Sequence, residues 1–131
     1  SDLSANATAG VLEVNGKKQA FFSGHFTPAA ELPKGQVHYN TSVASMHSGA
    51  NYDITRTELT ANFDSKKLTG TISRNAEFGG NIAVNAQISG NKFDQSGATE
   101  VKGGFFGKNA AEVAGGFSSG NTVGAFVGSK K

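Results

Sequence analysis

Cysteine and tryptophan are absent from this chain, methionine occurs once, and proline occurs only at Pro28 and Pro33. Without cysteine there is no disulfide framework and no thiolate metal site. Charge is sparse as well: charged residues make up 17% of the chain, and the formal net charge is +2. The small basic excess is dispersed, with Lys17, Lys18, Lys66, Lys67, Lys130 and Lys131 in expected turns or at the chain end. A nucleic-acid partner calls for a concentrated basic face, so that class is excluded. No stretch approaches the roughly 18 apolar residues of a membrane-spanning helix. Ser1–Thr8 is polar and small rather than a leader, so the chain reads as a mature product or a trimmed piece of one. Helical signals are almost missing. Only Thr27–Leu32 tolerates a helical turn, and the two prolines bracket it.

Glycine and phenylalanine are what is abundant, at 18 and 10 residues. The last third pairs them three times, in Gly103–Gly107, Ala111–Phe117 and Gly124–Gly128. Glycine lets a strand bend and lets a neighbouring ring lie over it, while phenylalanine supplies buried area. Alternation is clearest in Ile82–Ile88, where Ile82, Val84, Ala86 and Ile88 oppose Ala83, Asn85 and Gln87. The same reading predicts strands over Gly10–Val14, Lys18–Phe26, Gln36–Val43, Tyr52–Phe63, Leu68–Arg74, Phe93–Ala98, Val101–Gly107, Ala111–Ser118 and Thr122–Ser129. Asn15-Gly16 is a type I′ hairpin signal between the first two. Short polar links (Ser48–Ala50, Asp64–Lys67, Glu77–Gly80, Gly90-Asn91, Gly120-Asn121) favour a meander over crossing connections. The expected fold is all-β: one eight-stranded antiparallel up-and-down β-barrel over residues 1–131, with 1–9 as a flexible segment or linker. Its interior is expected to be packed. Ala61, Gly70, Ala86, Gly103, Gly115 and Ala125 should face inward beside Phe63, Leu68, Ile72, Ile82, Val84, Ile88, Phe105, Phe117 and Phe126.

Chemistry-bearing residues are few. The carboxylates Glu13, Asp53, Asp64, Glu77 and Asp94 fall at turns or strand ends, with no paired context for acid–base work. No motif singles out a serine beside a histidine and a carboxylate, so no enzyme is expected. Gly79-Gly80 and Gly103-Gly104 open no helix and are not phosphate loops. No metal site and no resident cofactor are expected. His38, Tyr39, Met46 and His47 carry side chains able to serve as axial heme ligands. Against that, His38 and Tyr39 are strand neighbours facing opposite sides, and Met46-His47 lies near a hairpin tip. Loops 45–51 and 75–80 are the expected contact surface for a partner, with Met46, His47, Glu77 and Phe78 as contact residues. Glu112 is expected to accept hydrogen bonds from main-chain amides.

Six elements in order carry a resemblance to a known family: Glu58-Leu-Thr-Ala-Asn-Phe-Asp64, Lys67-Leu-Thr-Gly-Thr-Ile72, Ala86-Gln-Ile-Ser-Gly-Asn-Lys-Phe93, Val101-Lys-Gly-Gly-Phe-Phe-Gly107, Ala110-Ala-Glu-Val-Ala-Gly-Gly-Phe117 and Val123-Gly-Ala-Phe-Val-Gly-Ser-Lys130. From about residue 35 to the end, the chain resembles the β-barrel domain of transferrin-binding protein B and of hemophilin-like surface lipoproteins. The resemblance implies a non-enzymatic extracellular barrel domain, exposed on or secreted from a Gram-negative bacterium. It further implies a part in heme or iron-protein acquisition from a host, or in immune evasion. The implied partners are a host or heme-carrying protein and an outer-membrane translocon of the surface lipoprotein assembly type. The domain would act as a scaffold and as the module that translocon reads. A second lobe, a handle domain and a lipidated cysteine are missing from the pattern, as in an excised C-terminal domain or a small relative. Two other readings stand beside it: a small heme or lipocalin-like ligand-binding barrel, and a structural or adhesive host-interaction module.

Overall fold

In the computed structural model, which describes residues 6–49 and 51–131, the chain is carried by ten β-strands. Residues 1–5 of the expected N-terminal segment and Ala50 of the expected Ser48–Ala50 turn lie outside the described residues. The strands are β1 (Ala7–Val14), β2 (Lys17–Gly24), β3 (Gln36–Met46), β4 (Tyr52–Asn62), β5 (Lys67–Ile72), β6 (Ile82–Ser89), β7 (Lys92–Gln95), β8 (Thr99–Phe106), β9 (Glu112–Ser119) and β10 (Thr122–Lys130). Strands β3 to β10 close an antiparallel barrel in which each pairs with the next and β10 returns to β3. The helical content reduces to single turns, one of them at Ala29–Glu31 inside the stretch read as helix-tolerant.

The first hairpin does not enter the barrel. β1 and β2 form their own two-stranded sheet and pack on the outside of β9 and β10. Asn15 (φ 52) and Gly16 (φ 78) are both left-handed, as a type I′ turn requires. β1 begins at Ala7, so residues 7–9 are strand and not linker: Ala7 pairs with Gly24 and Ala9 with Phe22. Their small side chains let the hairpin lie close against Phe106, Ala114 and Val127 of the barrel wall. Ala125, expected inside, alternates with the inward Phe126 and so stands on the outer face of β10, where it is also buried.

Inside, alternate residues of all eight strands meet in one core. Phe105 is its centre, with ring centroids 4.8 Å from Phe63, 5.4 Å from Phe93 and 6.0 Å from Tyr39. Phe126 continues the stack to Phe93 at 6.2 Å and to Phe117 at 6.5 Å. Offset and tilted rings at these spacings bury large apolar area without face-to-face repulsion. The expected core residues are buried except Phe63, which is half-buried one residue past the end of β4 and packs on the core from the barrel end. Glycine makes room for these rings. A Cβ on Gly115 would lie 2.5 Å from the Lys102 carbonyl and 2.7 Å from the Phe126 ring, and one on Gly103 would fall on the Phe93 ring.

The segment between β2 and β3 closes one end of the barrel. Thr27 N–H donates to the Phe105 carbonyl and Gly107 N–H to the His25 carbonyl, both at 2.9 Å. The Thr27 hydroxyl donates to the Gly107 carbonyl at 2.6 Å, and the Asn91 side-chain amide donates to the Thr27 carbonyl at 2.8 Å. The other end is left to the β3–β4, β5–β6, β7–β8 and β9–β10 connections.

Candidate functional site

That other end, the barrel mouth, brings together the two loops the sequence singles out. Phe78 of the β5–β6 loop stacks on the His47 ring, with centroids 4.4 Å apart and planes 5° from parallel. The loop is shaped locally by Asn75, whose side chain accepts from Glu77 N–H at 3.0 Å and starts the single turn Ala76–Phe78. Arg74 fastens it from below. Its Nε donates to the Gly80 carbonyl at 2.7 Å, and its Nη1 donates to the Ser119 carbonyl at 3.2 Å and to the Thr122 hydroxyl at 3.0 Å.

His47 is 1% exposed, and not the exposed tip expected from sequence. Its Nδ1 is 2.9 Å from Thr122 Oγ1, and its Nε2 is 3.2 Å from Asp53 Oδ2. The partners set the proton positions. In the neutral ring, an Nε2–H that donates to the Asp53 carboxylate leaves Nδ1 to accept from the Thr122 hydroxyl, which itself accepts from Arg74. Hydroxyl, imidazole and carboxylate in line have the connectivity of a nucleophile, a base and its orienting group. Access decides against that chemistry. Thr122 is 1% exposed, its oxygen is already engaged by Arg74, and the Phe78 ring covers the imidazole. The chain Arg74–Thr122–His47–Asp53 ties the β5–β6 loop, β10, β3 and β4 together across the mouth. Sequence reasoning missed Arg74 and Thr122. No local signal marks them, since the partners that join them across the mouth, Ser119 and Thr122 for Arg74 and His47 for Thr122, lie 45 or more residues away.

The heme candidates do not converge. Tyr39 points into the core, fully buried, and donates its hydroxyl to the Ala110 carbonyl at 2.7 Å. Burial pushes its phenol well above the ordinary tyrosine value. His38 stands on the outer face, with Nδ1 at 3.0 Å from Thr60 Oγ1 and 3.1 Å from Glu58 Oε2. His38 and His47 are nine steps apart along one strand, about 30 Å. Met46 is half-buried beside His47, whose two ring nitrogens are both occupied. The interior between them is filled by the phenylalanine cluster, so these residues do not fit a porphyrin inside the barrel. Among the described residues no three His, Asp or Glu side chains group as a metal site. No helix of the described residues is long and apolar enough to cross a membrane.

The expectation for Glu112 holds in a specific form. Its buried carboxylate accepts from Asn6 N–H at 3.0 and 3.2 Å and from the Asn6 side chain at 3.2 Å, tying the start of the hairpin to the barrel. Outside the barrel, a groove of about 560 Å³ lies between Phe22 and Phe26 on the hairpin side and Lys92, Asp94 and Lys102 on β7 and β8.

None of the curated proteins compared with the chain matches it. Solved structures do. The haemoglobin receptor HpuA from Kingella denitrificans superposes with a TM-score of 0.80 at 22% identity, over 98% of this chain and 55% of that one. The isotype 1 transferrin-binding protein B from serogroup B Neisseria meningitidis gives 0.75 at 20% identity, over 98% of this chain and 32% of that one. The N-lobe of lactoferrin-binding protein B from Moraxella bovis gives 0.60 at 16% identity, over 100% of this chain and 78% of that one. The chain thus spans about half of the haemoglobin receptor and a third of the meningococcal protein. A family model for the C-lobe and N-lobe beta barrels of Tf-binding protein B matches residues 17–131, so the chain belongs to the transferrin-binding protein B barrel family.

Proposed function

We propose that this chain is a non-enzymatic receptor domain, displayed outside a Gram-negative outer membrane, that takes part in capturing a host iron-carrying protein. The observation that carries the reading is a family barrel with a filled interior, which leaves binding to its outer surface and mouth. Similar structures include a haemoglobin receptor and binding proteins for transferrin and lactoferrin, which supports a host iron-carrying protein as the class of partner. In this reading residues 1–131 serve as one domain. The mouth, with Met46, Glu77 and Phe78 around the buried His47, is the contact surface, because the Arg74–Asp53 chain holds its loops in place. The rigid barrel doubles as a scaffold and as the part read by an outer-membrane translocon of the surface lipoprotein assembly type. The test mixes the purified chain with haemoglobin, transferrin, lactoferrin and free heme. Retention of one of the carrier proteins, with no stoichiometric heme absorbance band, is expected. A sharp band at one heme per chain would replace the receptor reading with that of a heme carrier.

A further inference from the structure

β4 is paired along only part of one side. β3 runs beside it for eleven residues, from Tyr52 to Asn62, but β5 meets it only from Leu59 to Asn62. β5 peels away at Gly70, where the Leu59 side chain occupies the place a Cβ would take, and continues along β6 instead. Among the described residues no strand pairs with Tyr52–Glu58 on that side. The ladder phase shows which groups face out. His47 N–H donates to the Asn51 carbonyl and Phe63 N–H to the Gly35 carbonyl, both at 2.8 Å. The odd-numbered residues of β4 therefore bond to β3, and the N–H and C=O of Tyr52, Ile54 and Arg56 point to the open edge.

The side chains there are unusual in two ways. On the outer face Tyr52 is 52% and Ile54 66% exposed. On the inner face Asp53 Oδ1, Thr55 Oγ1 and Thr57 Oγ1 are buried with no hydrogen-bond partner among the described residues. A buried polar atom left unpaired costs free energy. A long open edge with apolar side chains is a template for another strand.

We infer that this edge pairs, antiparallel and about a two-fold axis, with the same edge of a second copy of the chain. One register fits the side chains. With Ile54 opposite Ile54 of the other copy, Tyr52 lies opposite Arg56, an aromatic–guanidinium pair. On the inner face Asp53 lies opposite Thr55, a carboxylate acceptor against a hydroxyl donor, and Thr57 lies opposite Asn51. The N–H and C=O groups of Tyr52, Ile54 and Arg56, open in one copy, are satisfied in both. Sliding the strands by two residues one way sets Asp53 against Asp53. Sliding them as far the other way sets Thr55 against Thr55 and Ile54 against Arg56, which gives up the aliphatic contact. The seam is short for a specific interface, so the association depends on concentration.

The chain has no cysteine, which makes single-thiol variants clean probes. Opposed residues of a hydrogen-bonded antiparallel pair have Cα atoms about 5.5 Å apart, within disulfide reach. Under mild oxidation, Ile54→Cys should form a covalent dimer roughly tenfold faster than Tyr52→Cys, or than Leu12→Cys on the hairpin, because only position 54 faces its own copy. Sedimentation of the unmodified chain should show mass rising with concentration toward twice the monomer. Ile54→Lys should weaken that association by roughly tenfold or more, since it sets like charges opposite each other. Exchange of the Ile54 and Arg56 amides should slow over the same concentration range. Equal cross-linking at the three positions, or a dimer that Ile54→Lys leaves intact, would overturn the inference. So would amide protection that appears in dilute protein only on adding haemoglobin or transferrin, which would give the edge to a strand of the captured protein.

Discussion

Phe105→Ala is the sharpest perturbation of the barrel. The side chain is fully buried and touches the rings of Phe63, Phe93 and Tyr39, which come from three other parts of the chain. Truncating a core phenylalanine removes its transfer free energy and leaves a cavity, together about 3–5 kcal/mol. The upper part of that range applies here, because a closed barrel held by strands on every side collapses poorly into a void. In a domain near this size each kcal/mol moves the melting temperature by roughly 3–5 °C, so a fall of about 12–25 °C is expected. Thermal unfolding followed by circular dichroism is the assay, with Phe21→Ala as the companion. Phe21 is 48% exposed on the outer face of the hairpin, so its loss should move the transition by only a few degrees. Equal shifts for the two variants would refute the packed-interior argument.

Gly115→Val should impair folding more than Gly120→Val: a side chain at 115 meets the Lys102 carbonyl and the Phe126 ring, whereas at 120 it meets open space and suffers only from the left-handed backbone (φ 57). Equal soluble yield and melting temperature for the pair would count against that difference. Glu112→Gln weakens the acceptors for Asn6 and should cost about 1–3 kcal/mol, read as lower stability and faster amide exchange at Asn6 and along β1. The folded state raises the Tyr39 pKa above the unfolded value of 10.0, so it binds this proton more tightly than the unfolded chain does. The resulting stability is complete below pH 10 and is lost as pH rises past it. Tyr39→Phe should flatten that alkaline decline, while losing about 1 kcal/mol near neutrality with the bond to Ala110. Urea titrations at pH 7 and above 10 measure both.

The barrel itself was legible because its signal is local. Period-two alternation in β6, the apolar Leu59, Ala61 and Phe63 at the end of β4 and the Phe–Gly pairs of β8, β9 and β10 each report which face is buried without reference to partners. The hairpin was legible as a hairpin, through Asn15-Gly16, but not as a layer outside the barrel. Alternation says that one face is covered and is silent on which sheet covers it. Ala7–Ala9 carried no apolar weight to mark them as strand, since their burial depends on Phe106 and Ala114 a hundred residues later. The mouth was half legible. Polar loops pointed to Met46, His47, Glu77 and Phe78, but the stacking of Phe78 on His47 and the bond from Arg74 to Thr122 are set by barrel closure. The open edge of β4 was hidden for the same reason, because it depends on where β5 turns away.

The receptor reading is tested most directly by immobilising the chain and titrating haemoglobin, transferrin and lactoferrin, each against the unaltered protein and against a Glu77→Lys, Phe78→Ser variant of the mouth. The account predicts saturable binding of one carrier, weakened at least several-fold by the variant while its melting temperature stays within a few degrees. Binding of no carrier, or binding that the altered mouth leaves unchanged, would contradict it.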